Sequence, residues 1–413
     1  MRILVSGASI AGPVLAYWLT RRGFDVTVVE PAPTLRKTGG HAVDLFRPAL
    51  EISAEMGVLP RIEARATGTN RMIMHREGRA RPFEIDLSKI YSATSGRHVE
   101  IMRDDLSEIY YAAGRDDVEY LFGDTITSID PDGEVTFEHA PVRRFDAVVG
   151  ADGLHSNVRR LTFGDEANQT RFLGGYLAVV SAPKALACRG EMTCHVGVGR
   201  LAAIYTAEHL DDARAVFLFR SNRELDFDHR DTLRQKELLR AAFANMHEQV
   251  SDWLGEVDRT PAFYFDSISQ LRLDRWSRRR VTLVGDAGYC PGPAVGGSTS
   301  LAVLGAYVLA GELAQADGDL LRAFSAYELQ MREPVHQSRS FARGAAKGII
   351  PGSRLGVWAL TRGAQLVSAM PGSLSRSLAK LNAKGVRLHD SMRVPDYSAT
   401  DPRGNERTNR RWN

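Results

Sequence analysis

The sequence predicts an α/β fold: a nucleotide-binding domain assembled from discontinuous pieces, interrupted by an inserted antiparallel β-sheet and followed by a C-terminal helical segment. Three observations predict it. The first 30 residues read as a βαβ unit around the turn GASIAG at 7–12. Between 172 and 219 the pattern changes to short β-rich runs (YLAVVSAP, MTCHVGVG, LAAIYTA, ARAVFLFR) separated by Gly, Pro and Asp. At 281–313, VTLVGDAGYCPGPAVGGSTSLAVLGAYVLAGEL, an apolar run ends in Gly285 and Asp286, a Gly/Pro loop comes next, and an apolar helix begins. One carboxylate and several bare amides therefore converge at a helix start, which suits a polyol or an anion.

In chain order, 3–6 reads as a buried strand, 13–22 as a helix opened by Pro13 and closed by Gly23, and 25–30 as a second strand. Gly7 permits the sharp strand-to-helix bend and Gly12 lets helix and strand approach closely, so the turn amides face a pyrophosphate. Ser9 stands where a middle glycine would be, and Glu30, 18 residues past Gly12, stands where an adenosine ribose would be hydrogen-bonded. The same turn is one residue from a GxSxG nucleophile elbow, with Ser9 as nucleophile. That elbow normally comes after several strands and leaves Glu30 without a role, so dinucleotide binding is the stronger reading. Further on, 103–113 reads as helix, 118–129, 135–137 and 147–149 as strands, and GADG at 150–153 as a tight turn. Residues 231–253 and 319–340 read as helices, 341–390 as a helical appendage broken at Pro351 and Pro371, and the polar residues 396–413 as a disordered tail.

Composition excludes several classes. Of 413 residues, 53 are basic and 50 acidic; a net charge of +3 gives no footprint for nucleic acid or an anionic membrane. Cys188, Cys194 and Cys290 lack CxxC spacing, which predicts a reducing compartment, the cytoplasm. The chain starts directly into a strand rather than a signal-peptide core, and no stretch has the roughly 20 apolar residues of a membrane span. With no HExxH and no paired Cys/His spacing, no metal is expected.

The succession of a GxGxxG-like turn, a DG turn and a GD turn, each after an apolar strand, resembles the class A flavoprotein monooxygenases built on the para-hydroxybenzoate hydroxylase fold. The resemblance covers residues 1 to about 345. It implies a Rossmann-like FAD-binding domain of the GR2 type in three pieces, 1–70, 99–170 and 268–345. A substrate domain would fill 71–98 and 171–267, with a helical segment at 346–395 and the tail at 396–413.

The resemblance also assigns roles. The turn Gly7, Ser9, Ile10, Ala11 and Gly12 would face the FAD pyrophosphate and Glu30 its adenosine ribose. Asp152 and Gly153 would sit in the shared FAD and nicotinamide pyrophosphate region, and Gly285 and Asp286 at the ribityl chain. Arg103 in IMRDDL and Arg36 in LRKTGGHAVDL match FAD-side arginines. The GGHAVDL run, with Gly40 and Asp44, is similar to a segment of the tetracycline-inactivating branch that passes beside the flavin ring. Pro293, Gly296, Gly297 and Ser298 would let backbone approach the flavin. Three positions depart from the family: Tyr289 replaces a histidine, Ser298 a glycine and Ser300 an asparagine.

The activity implied by the resemblance is that of an FAD-dependent monooxygenase using NAD(P)H and O2 to hydroxylate an aromatic or polycyclic small molecule through a flavin peroxide adduct. No obligatory acid or base is implied. His41, His195, Tyr205 and Phe217 are candidate pocket residues, with Phe172, Tyr176 and Phe219 beside them. The alternatives are a flavin-dependent oxidase or reductase, and a non-catalytic FAD-fold protein that sequesters a ligand.

Overall fold

The computed structural model describes residues 1–35, 40–79, 81–89, 97–164, 170–228, 231–260, 262–293, 297–369 and 392–400. Two sheets organise it. The first has six strands in the order Ser277–Arg278, Val281–Leu283, Ala147–Gly150, Arg2–Ser6, Asp25–Glu30, Glu119–Phe122, parallel throughout except for the Ser277–Arg278 edge. Its central strands are continuous apolar runs because both faces are covered. The helix Ala11–Arg21 lies on it, buried from Ala11 to Thr20. The helix Ser298–Gln315 packs beside that one, buried from Ser300 to Leu313, and Trp18 meets Tyr307 edge-on at 5.0 Å between ring centroids. Both helices are apolar all round, as interior helices must be.

The second sheet has seven strands in the order Phe263–Leu271, Thr170–Pro183, Asp212–Arg220, Arg200–Tyr205, Glu191–Gly197, Arg71–Arg76, Phe83–Asp86. It is antiparallel except between Glu191–Gly197 and Arg71–Arg76, which run parallel. One of its faces packs against the helices Thr232–Phe243 and Glu248–Gly255. The single helix expected over 231–253 is thus two, separated at Asn245, whose φ of +57° takes the chain out of the helical region.

Ordered elements cross three of the expected boundaries. Strand Phe263–Leu271 crosses the 267/268 divide, and its Leu271 N–H donates to Cys290 O (3.0 Å), so one strand serves both sheets' surroundings. Helix Leu320–Ile349 passes Pro334 and the expected end at 345, because Ala342, Ala346 and Ile350 pack on Leu177 and Val179 of the second sheet. The tail expected from 396 is ordered over 396–400: Tyr397 is buried, its hydroxyl donates to Glu312 Oε1 (2.6 Å), and its ring occupies the space left by the absent side chain of Gly311. Residues 401–413 lie outside the described residues, as do 370–391 of the expected helical segment. Among the described residues no helix is long and apolar enough to cross a membrane.

Candidate functional site

The three turns singled out in the sequence converge at the carboxyl ends of the parallel strands. Gly7 has φ +109°, its N–H donates to Val29 O (2.8 Å), and a Cβ on it would lie 2.5 Å from Ala151 O in the GADG turn. A Cβ on Gly12 would lie 1.9 Å from Gly7 O. Gly285, at φ +67°, faces Ala302 and Ala11, whose Cβ atoms would be 3.3 and 3.4 Å from a Cβ placed on it. The first turn thus touches the second, and the third touches the start of both interior helices.

Glu30 ends its strand with both carboxylate oxygens on turn amides, accepting from Ala8 N (2.9 Å) and Ala32 N (3.1 Å). Ser9 is exposed, and its carbonyl accepts from Ser107 Oγ (3.0 Å); among the described residues nothing hydrogen-bonds its hydroxyl, which leaves a nucleophilic Ser9 without a base. Ile10 and Ala11 are buried at the helix start. Asp152 accepts from Ser156 Oγ (2.5 Å), Val158 N (3.0 Å) and Ser6 Oγ (3.5 Å). Burial pushes its carboxyl up and the bonds from Ser156 and Val158 pull it back, so it is engaged in shaping its own turn. Gly153, at φ +78°, borders open space.

Asp286 begins the short helix Asp286–Tyr289. Burial raises its carboxyl, and the Cys290 thiol and the Arg103 charge lower it. Cys290 itself is held well above its ordinary range by burial, as a thiol. Arg103 opens the helix Arg103–Gly114 and its backbone N–H donates to His41 O (3.1 Å). Among the described residues its Nε is buried with no hydrogen-bond partner, and Asp104 Oδ1 lies 3.9 Å from it. A buried guanidinium N–H without an acceptor is costly unless a ligand supplies one.

The segment 40–46 is pinned beside this arginine. Gly40 N–H donates to Asp104 Oδ2 (3.0 Å), Gly40 O accepts from Arg214 Nε (3.1 Å), and Ala42 N–H donates to the Tyr205 hydroxyl (2.7 Å). Asp44 Oδ1 is 2.6 Å from His98 Nε2, so its carboxylate is paired across to the neighbouring strand. His41 lies 6.4 Å from Tyr264 between ring centroids. Burial, then Arg103, pushes His41 from 6.5 down to about 4, with Asp44 opposing. The folded state therefore binds fewer protons than the unfolded chain between these values, and this contribution to stability is full above pH 6.5 and lost as pH falls towards 4. The melting temperature of wild type is expected to drop more steeply than that of His41→Gln over that window, and parallel profiles from thermal melts would count against a buried neutral His41.

The departures from the family pattern also find places. Ser300 Oγ accepts from Phe46 N (3.0 Å) and donates to Asp44 O (3.5 Å), tying the start of helix Ser298–Gln315 to the 42–46 strand. Ser298 is the first residue of that helix and Gly297, at φ +80°, its cap. Tyr289 is 1% exposed, packs on Trp276 at 4.8 Å, and accepts from the Tyr327 hydroxyl (3.1 Å). Its own hydroxyl fills the place where Gly305 lacks a side chain, so it serves helix packing. Pro293 is partly buried beside the same loop; Arg36 and Gly296 lie outside the described residues.

Strand register divides the pocket candidates between two faces. Tyr205 pairs with Arg214, which pairs with Ser181; two residues along, Val179 pairs with Tyr264. Tyr205, Arg214 and Tyr264 therefore share the face that meets Gly40 and His41. His195 pairs with Ala202, Ala202 with Phe217, and Phe217 with Ala178, which places His195 and Phe217 on the other face. There Phe217 packs edge-on against Phe243 at 5.1 Å, together with Tyr176 and Phe219, while Phe172 packs against that cluster from its edge. His195, Phe217, Phe172, Tyr176 and Phe219 thus lie towards the helix-covered face, opposite the one that meets Gly40 and His41. Tyr264, Arg214 and Asp266, whose Oδ2 is 2.9 Å from His155 Nε2, are on the site side and escape the sequence reading. Strand alternation in FYFDS offers a signal for Tyr264 and Asp266, but not which face it addresses.

A buried arginine N–H without an acceptor, a half-buried carboxylate at a helix start and three glycine turns packed against one another fit an extended dinucleotide. A family model described as FAD binding domain matches residues 1–335. A flavin-dependent monooxygenase of Legionella longbeachae is 34% identical over 353 residues, covering 83% of this chain and 87% of that protein. The chain belongs to this family of FAD-binding, flavin-dependent monooxygenases. An uncharacterised protein of Mycobacterium tuberculosis is 41% identical, covering 82% of this chain and 91% of its own length. Among solved structures, tetracycline destructase Tet(51) matches with a TM-score of 0.82 and 30% identity, covering 96% of this chain and 99% of its own. Klebsiella pneumoniae HpxO, complexed with FAD and uric acid, shares the fold at a TM-score of 0.71 and 24% identity.

FAD, the cofactor of this monooxygenase, supplies when bound the redox and oxygen chemistry. The chain's own residues do the rest. Glu30 would accept from ribose hydroxyls at the adenosine end, the amides of 9–12 would face the pyrophosphate, and Asp286 would accept from ribityl hydroxyls. Arg103 would donate its free N–H to an oxygen of the cofactor. The N-terminus of helix Ser298–Gln315 brings partial positive charge to the same end.

Proposed function

We propose that this monooxygenase, reduced by NAD(P)H, inserts one atom of O2 into an aromatic or polycyclic small molecule held between the 40–46 segment and the Tyr205, Arg214 and Tyr264 face of the second sheet. The observation that carries this reading is the pinning of Gly40 and Ala42 to Arg214 and Tyr205, directly beside Arg103. It makes a floor of aromatic rings and one cation, chemistry suited to a flat, oxygen-bearing ring system. His41, kept neutral, adds a ring nitrogen that can hydrogen-bond a phenol without bringing charge. The likeness to the tetracycline destructases, at 30% identity for Tet(51) and 31% for Tet(55), favours polycyclic substrates. Asp152 and Gly153 belong in this reading to the pyrophosphate side, and residues 71–98 and 171–267 to the substrate side. Three free cysteines agree with work in the cytoplasm.

The test is a screen of polycyclic phenols for accelerated NADPH or NADH consumption by the purified yellow protein, with turnover under labelled O2 for each compound that responds. One labelled oxygen in the product is expected. A compound that drives consumption with all the oxygen recovered as hydrogen peroxide would make the protein an oxidase, and ligand binding with no consumption would make it a sequestering protein.

A further inference from the structure

Three histidines distant in sequence meet on the helix-covered face of the second sheet, away from the flavin site. His75 and His195 are directly opposed in its one parallel pair, and His247 is the residue that caps helix Glu248–Gly255. The ring centroids are 4.4 Å apart for His75 and His195, 4.2 Å for His195 and His247, and 5.6 Å for His75 and His247. Each residue offers a ring nitrogen within 4.8 Å of those of the other two. No role in cofactor or substrate binding reaches this face.

We propose that His75, His195 and His247 bind one divalent transition-metal ion of the zinc class. Imidazole nitrogens are suited to Zn²⁺, and three of them leave a tetrahedral position for water. The surroundings already resemble those of a ligand set. Gln249 Oε1 accepts from His195 Nε2 (2.9 Å), which fixes that tautomer and leaves the Nδ1 lone pair free, the arrangement an outer partner gives a metal-bound histidine. Trp253 meets the His195 ring edge-on at 5.4 Å and holds its orientation. His195 is buried, His75 is half-buried and His247 is exposed, so an ion has an entry path and a protected seat.

The rings of His75 and His195 are stacked, with 17° between their planes, and His247 is tilted by 37° to His195, so coordination needs movement. Ligands at about 2.0–2.1 Å in a tetrahedron stand about 3.3 Å from one another. His247 is the ring free to turn; it would exchange the bond its Nδ1 accepts from Gln249 N (3.2 Å) for the metal. The bound ion would clasp strand Arg71–Arg76, strand Glu191–Gly197 and helix Glu248–Gly255 together, three segments spread over the sequence.

The experiment uses tag-free, chelator-stripped holoenzyme titrated calorimetrically with Zn²⁺, and with Co²⁺ while the visible spectrum is recorded. One saturable equivalent, tetrahedral Co²⁺ bands and a raised melting temperature are expected. His247→Asn retains a capping side chain and His75→Gln retains size, so each removes a ligand while sparing the fold. Both should bind at least about tenfold more weakly, since loss of an outer partner alone has that effect. Absence of a stoichiometric site at micromolar Zn²⁺, or unchanged affinity in both variants, overturns the proposal. Flavin absorbance reports separately on the FAD site, so failure here leaves the monooxygenase reading untouched.

Discussion

Gly12→Ala is expected to destabilise the protein by about 3 kcal/mol or more and to give protein purified without flavin. The added Cβ would stand 1.9 Å from Gly7 O, a backbone atom. Gly7 has nowhere to retreat, because its φ of +109° already brings it against Ala151 O and the start of Asp152. Relief would require separating the first helix from the first strand, which displaces the amides that face the cofactor. Gly153→Ala is the comparison. Its φ is +78°, yet no atom lies within 4 Å of the added Cβ, so only the left-handed backbone cost of about 1–2 kcal/mol applies. Thermal melts and flavin absorbance of the two variants measure the difference. Equal melting temperatures and equal flavin content would show that close approach does not constrain Gly12.

Arg103→Ala is expected to weaken FAD binding by about tenfold to a hundredfold, the roughly 1.5–3 kcal/mol of a hydrogen bond to a charged group. Its effect on the flavin-free protein should be small or favourable, because the substitution removes a buried Nε that has no acceptor. The Asp286 carboxyl loses a neighbouring positive charge that lowers it, and so should become harder to ionise. Arg103→Lys should recover part of the affinity, since a point charge replaces the charge but lacks the guanidinium's N–H geometry. Flavin titrations together with melts in the presence and absence of FAD separate the two effects. An equal loss of stability in both forms would assign Arg103 to the scaffold rather than to the cofactor.

Both variants act on residues that local sequence makes visible. The first βαβ unit is legible because its signals are short-range: Pro13 near the helix start, Gly23 at its end, and apolar runs on either side. Helix Ala11–Arg21 and strand Asp25–Glu30 lie within two residues of that reading. The break at Asn245 is not legible, because the apolar period continues across it and only a left-handed residue marks the change. Nor is the packing of Tyr397, whose partners Glu312 and Gly311 are remote in sequence. A polar, turn-rich composition describes a segment's average, and one buried tyrosine is enough to anchor it.

Tyr289 shows the same limit within the GD loop. Its place in a family pattern points beside the flavin, but its ring lies between Trp276 and Tyr327, over a glycine one helix away. Phe217 and His195 are placed by register alone: a strand's alternation separates its residues into two sets, but does not say which set faces the cofactor. The histidine cluster is invisible in the sequence for a related reason. Its members come from two strands and a helix cap, and no spacing along the chain encodes the parallel pairing of His75 with His195.

The sequence by itself determined the class of fold, the three turns and the dinucleotide chemistry they serve, because glycine geometry, helix ends and a carboxylate after a strand are local consequences of residue type. Only the tertiary structure decided which face of the second sheet meets that chemistry, that the buried Nε of Arg103 lies beside the 40–46 segment, and which histidines become neighbours. Those outcomes depend on strand register and helix packing between residues far apart in the chain, where many pairings share the same local pattern and burial selects among them.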